Sequence, residues 1–137
     1  MNAPLNPRDI TSVAAIWELD STAVTCLDAC LACSSKAARS AHALRLQLAS
    51  ADAAAFRDML FVCAASARST AQAILLRSSS AAHKAATTAA LCSRIVEAGA
   101  VLGFSTAEGP YRAAADACDR FERAERAAVP NHSARTI

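Results

Sequence analysis

The sequence predicts an all-α fold, an antiparallel up-down-up-down four-helix bundle, and three observations lead to it. Ala is the commonest residue, while Gly occurs 3 times and Pro 4 times in 137 residues, so helix formers dominate and breakers are nearly absent. Apolar residues recur at alternating steps of four and three along four separate segments, the pattern of bundle seams. The few turn and breaker residues cluster at the junctions between those segments, leaving short connections that favour antiparallel neighbours.

Residues 1–7 read as a loose lead-in, with Pro7 suited to a first helical position. The first helix extends from about Arg8 to Leu48, either continuously or re-capped near Asp20-Ser21-Thr22. A second helix is expected from Asp52 or Ala53 to Arg77, with Asp52 as a suitable N-cap. Ser78-Ser79-Ser80 marks a turn and offers a cap to a third helix over Ala81 to Val101, closed by Gly103 in the left-handed region. Ser105 to Glu108 has capping-box spacing, but Gly109-Pro110 interrupts it, so a loop or single turn is expected there. The fourth helix is expected from Pro110 to Val129, stopped by Pro130-Asn131, with 131–137 a second loose end of the single domain.

The seams can be written residue by residue. The first helix offers Cys26, Cys30, Cys33, Ala37, Ser40 and Leu44, and the second Phe56, Leu60, Cys63, Ala67, Thr70 and Ile74. The third offers Ala85, Thr88, Cys92, Ile95, Gly99 and Leu102. In the fourth, Tyr111, Ala114, Cys118 and Phe121 lie in line and Ala128 continues the stripe. Every cysteine falls on a seam so drawn; Phe56 and Leu60 fix the phase of the second helix, whereas in the Ala-rich third and fourth helices other phases also fit and the one containing the cysteine is taken. Hydrophobic residues form 54% of the chain but aromatics only 4%, so small side chains must fill a narrow core between closely approaching helices.

Bulk properties exclude several function classes. The formal charge of +2 arises from 14 basic and 12 acidic residues, and the densest charged stretch, RAAADACDRFERAER, alternates in sign. That is a solvated helix face with i,i+4 pairs rather than the basic stripe of a nucleic-acid binder. No uninterrupted apolar run approaches the ~20 residues of a membrane span, and MNAPLNPRDI lacks the pattern of a signal peptide. The expected setting is the cytoplasm, where six cysteines are free thiols or metal ligands rather than a disulfide framework.

Cys26, Cys30 and Cys33 stand at i, i+4 and i+7 in TCLDACLAC, one stripe of one helix. The same spacing occurs in radical enzymes that wrap a loop around an iron–sulfur cluster, but this chain has neither the strands nor the length for their barrel. Zinc wants four ligands in short-spaced pairs, and His42, His83 and His132 are not paired with the cysteines. No Glu-x-x-His exists for a carboxylate-bridged di-iron site. A nucleophilic thiol needs a neighbouring base or a helix N-terminus, no cysteine starts a helix, and no glycine-rich phosphate loop exists, so an enzyme is not expected. Cu(I) suits the residues: it is soft, prefers thiolate, and accepts two or three sulfur ligands. The competing reading is that buried cysteines are small core residues.

The stretch TCLDACLACSSK resembles the cysteine-rich first helix of the bacterial four-helix-bundle copper-storage proteins. FVCAASARSTAQAILLRSSS, ALCSRIVEAG and AADACDRFERAER each carry one similarly placed cysteine. The resemblance implies cytosolic storage or buffering of Cu(I) along the core, in a homo-oligomer, with Cys26, Cys30, Cys33, Cys63, Cys92 and Cys118 as ligands. Ala37, Ser40, Ala67 and Ala114 stand where that family continues its thiol row, so capacity would be low. The alternative is an interaction or scaffold protein that keeps the fold without the metal.

Two expectations follow from helix positions. Cys63 and Cys92 are each near mid-helix and can meet across an antiparallel pair, Cys118 is also central, and Cys26 lies nearer a bundle end where ions enter. The first helix alone supplies several thiols, so Cys30→Ser is expected to remove most copper binding and Cys118→Ser little.

Overall fold

The computed structural model describes residues 20–46, 50–103 and 108–136. They form four helices: α1 (Ser21–Leu46), α2 (Ala51–Leu75), α3 (Ala81–Leu102) and α4 (Glu108–Thr136). Each packs on its sequence neighbour, and α1 also packs on α4, closing the ring of an antiparallel four-helix bundle. The lead-in 1–7, the stretch before residue 20 and the segment 104–107 lie outside the described residues.

Local chemistry explains most boundaries. Asp20 caps α1, its carboxylate accepting the Ala23 N–H at 2.8 Å, so Asp20-Ser21-Thr22 does start a helix. α2 begins one residue earlier than expected. Its N-cap is Ser50, in extended conformation and accepting from the Ala53 N–H at 3.0 Å, while Asp52 stands in the first turn and favours the positive helix end. α2 ends in a Schellman arrangement: Arg77 takes the left-handed position (φ 52), Ser78 N–H donates to the Ala73 carbonyl and Arg77 N–H to that of Ile74. Ser80 precedes α3 but makes no side-chain cap. Ser78 Oγ accepts the Ser80 N–H instead. α3 closes at Gly103, as expected, with φ 75.

α4 departs from expectation at both ends. It starts at Glu108, which pairs with Arg112, so Pro110 falls inside the first turn where its missing N–H has no partner to lose. It also runs through Pro130-Asn131 to Thr136, so 131–136 is helical rather than a loose end. Proline φ is itself helical, and its cost is one hydrogen bond and a crowded carbonyl. Residues 123–128 just before it are exposed, so no packed interface resists that local distortion. The alternating charges form the expected i,i+4 pairs, Asp116–Arg120, Asp119–Arg123 and Glu122–Arg126.

The seams are buried as expected, with exceptions where helices drift or end. Phe56, Leu60, Ile74, Ile95, Tyr111 and Phe121 are interior. On α1 the inward stripe moves from Ser40, half-buried, to Ala41, fully buried, because an ideal helix drifts against a 3.5-residue repeat. Leu102 and Ala128 are exposed at bundle ends. Averaged over its length, α3 is apolar and long enough to cross a bilayer. Here Ala85, Thr88, Cys92 and Ile95 on one of its faces line the core, while Arg94 and Glu97 are exposed.

Candidate metal centre

All six cysteines are free and fully buried. The structure sorts them into two groups of three, in each of which the sulfurs lie within 4.8 Å of one another. The first triad takes Cys26 and Cys30 from α1 and Cys118 from α4, with Cys118 Sγ 3.5 Å from Cys26 Sγ and 3.4 Å from Cys30 Sγ. The second takes one thiol from each of three helices: Cys33 (α1), Cys63 (α2) and Cys92 (α3). Its sulfurs are 3.8 Å apart for Cys33–Cys63, 3.5 Å for Cys33–Cys92 and 3.7 Å for Cys63–Cys92.

Cys63 and Cys92 meet as their central positions imply. The row on α1, by contrast, is not one site. Cys26 and Cys33 are separated by about two turns, roughly 10 Å of rise. The neighbouring helices therefore decide which thiols gather. α4 presents Cys118 to the Cys26–Cys30 pair and, one turn earlier, Ala114 towards the level of Cys33. There α2 and α3 supply the thiols instead. Cys30 is thus grouped with Cys26 and Cys118 and not with Cys33, and Cys118 is as much a member of its triad as Cys30.

Hydrogen bonding among the thiols sets their protonation. Cys26 is held below the ordinary thiol range by its hydrogen bonding with Cys118 and then Cys30, against the opposing effect of burial. Cys33 is lowered likewise by Cys63 and Cys92. The partners go the other way. Cys30 is raised by Cys118 and Cys26, Cys92 by Cys33 and Cys63, and Cys118 by Cys26, with burial adding in each case. Cys63 is pushed up to about 12, chiefly by Cys33. In each triad the shifts run in opposite directions on hydrogen-bonded partners, so the three thiols titrate as one group that shares its protons.

The surroundings carry no buried charged residue among the described ones. Among the described residues the buried polar ones are Ser34, Thr70 and Thr88. Ser34 Oγ donates to the Ala64 carbonyl at 3.0 Å, tying α1 to α2. Thr88 Oγ1 bonds Ser66 Oγ at 2.7 Å and Thr70 Oγ1 at 2.9 Å, a hydroxyl layer between α2 and α3 that begins one turn from Cys63 and Cys92. Tyr111 is fully buried and its hydroxyl makes no hydrogen bond of standard geometry. Burial raises its pKa, weak hydrogen bonding with the Ser40 side chain lowers it, and the charges of the Cys33, Cys63 and Cys92 sulfurs raise it further. Tyr111 and Cys92 also line a groove of about 850 Å3 between α3 and α4, bordered by Glu97, Arg112, Asp116 and Asp119.

No histidine or carboxylate joins either triad among the described residues. His42 is exposed and packs edge-on against Phe61 at 5.6 Å, and His83 is also exposed. The side chain of His132 lies outside what is described. Each site is therefore a ring of three sulfurs with no fourth donor, compatible with a metal ion but short of a tetrahedral zinc shell. The single thiol of each of α2, α3 and α4 looks unremarkable in sequence. Only helix register brings each one to a partner. The chain matches no family model, no curated protein and no solved structure.

Proposed function

We propose that the protein is a low-capacity Cu(I)-binding bundle that stores or buffers the ion without catalysis, in a reducing compartment such as the cytosol. The observation that carries this reading is the pair of buried three-thiol rings. A soft monovalent ion prefers thiolate and is content with two or three sulfurs, whereas zinc would lack a fourth ligand. Charge supports the choice as well. A Cu+ that replaces one of the triad's shared protons leaves the net charge of a countercharge-free core unchanged, which avoids the cost of burying new charge. Proton release also makes binding weaken as pH falls, because protons and copper compete for the same sulfurs. The likeness of TCLDACLACSSK to the copper-storage bundles points the same way.

The test is an anaerobic titration of the reduced chain with Cu(I) in competition with a chromophoric chelator. Uptake of one ion per triad supports the reading. Failure to withhold any copper removes it, leaving the thiols as core filler in a helical scaffold.

A further inference from the structure

The rings are narrow for a planar ion. Three sulfurs 3.5, 3.7 and 3.8 Å apart have their centre about 2.1 Å from each, inside a metal–thiolate bond of ~2.3 Å. An ion at bonding distance therefore sits ~0.9 Å above the sulfur plane, whereas a planar ion would need the sulfurs spread to ~4.0 Å. The first triad is equally tight along its two Cys118 edges, 3.4 and 3.5 Å. A ring that holds an ion off its plane, offers three sulfurs and no fourth donor, and lies in a core without a buried cation has the features a pyramidal, trivalent, thiophilic centre requires.

We infer that the two cysteine triads also bind trivalent arsenic, taken up as arsenite, one centre on each ring of three thiols. The reaction is a ligand exchange, As(OH)3 + 3 RSH → As(SR)3 + 3 H2O. Three As–O bonds break, three As–S bonds form, each thiol proton leaves in a water molecule, and arsenic stays trivalent throughout. The product is neutral, so it adds no charge to an interior with nothing to pair it. Its lone pair occupies the fourth direction, so the missing fourth ligand is no defect. The inference needs the triads but not the copper reading, and either can fail without the other.

The experiment adds sodium arsenite to the reduced full chain anaerobically, beside a small dithiol competitor strong enough to strip arsenic held by two sulfurs only. The readouts are intact native mass and the count of thiols still reactive towards a chromogenic disulfide. The expected result is two arsenic atoms per chain, each replacing three hydrogens, with all six thiols protected. Cys92→Ser and Cys118→Ser, each checked for retained helicity by circular dichroism, are each expected to bind one. Arsenic that replaces only two hydrogens, three arsenic atoms per chain, or thiols that all remain reactive in the wild-type chain would overturn the inference. Copper titration of the same samples tells the two readings apart. Arsenite failure beside copper uptake leaves copper standing, and the reverse leaves arsenite.

Discussion

The two triads have the same chemistry and different origins. In the first, Cys26 and Cys30 are one helical turn apart on α1 and only Cys118 comes from elsewhere. In the second, Cys33, Cys63 and Cys92 come from three helices and exist as a ring only when those helices are packed. The first is therefore largely a local feature that the unfolded chain can mimic, since a flexible TCLDACLAC segment still offers three thiols. The second is a product of the fold. An ion bound there is bound to the native state alone, which gives it full leverage on stability, whereas affinity for the unfolded chain discounts the effect at the first.

The largest effects should come from loosening the wall beside each triad. Phe121 lies three residues after Cys118, and Leu60 three before Cys63, both buried. Phe121→Ala and Leu60→Ala should each destabilise the bundle by about 3–5 kcal/mol through lost burial and the cavity left behind, measured by chemical denaturation. If packing supports each triad separately, Phe121→Ala weakens ion binding at the first and Leu60→Ala at the second. Equal weakening of both by either substitution would mean that the triads are one mechanical unit.

A smaller effect separates local from fold-dependent binding. Excess Cu(I) at 100 times the dissociation constant should add about 2.7 kcal/mol to a state that alone binds it. Cys118→Ser, which keeps the second triad, should retain most of the copper-induced rise in Tm. Cys92→Ser, which keeps the first, should lose most of it. A differential-scanning comparison in which Cys118→Ser loses the larger share would reverse the assignment.

The smallest effect concerns Tyr111, whose buried hydroxyl makes no hydrogen bond of standard geometry and interacts only weakly with the Ser40 side chain. An unpaired buried hydroxyl costs about 1–3 kcal/mol, so Tyr111→Phe should leave the apo protein as stable or stabilise it by about 1 kcal/mol. Denaturant midpoints decide this, and a clear loss of stability would show that the hydroxyl has a partner after all.

Much of the bundle was legible in the sequence because large side chains fix the phase of a seam. Phe56, Leu60 and Ile74 leave α2 one inward face, and Cys63, Ala67 and Thr70 follow onto it. Periodicity says nothing about where a neighbour stops, so Leu102 and Ala128 continue a pattern that has no partner to bury them. Ser50 and Asp52 are both capable caps two residues apart, and spacing does not choose between them; the side-chain bond to Ala53 does. At the site, the inward direction of Cys26, Cys30 and Cys33 followed from their shared stripe. Their division between two rings did not, because it depends on the register of α4 against α1 and of α2 against α3. A 1.5 Å step per residue makes such a register decisive, and it is a property of packing rather than of any one helix.

The central claim, two independent rings of three thiols, is tested most directly by Cu(I) stoichiometry in Cys118→Ser and Cys92→Ser, titrated anaerobically against the chromophoric chelator. Two tightly held ions are expected in the wild-type chain and one in each variant, the remaining ion keeping its affinity. Cys118→Ser with undiminished capacity, while Cys30→Ser abolishes binding, would return the site to the first helix alone and contradict the two-ring structure.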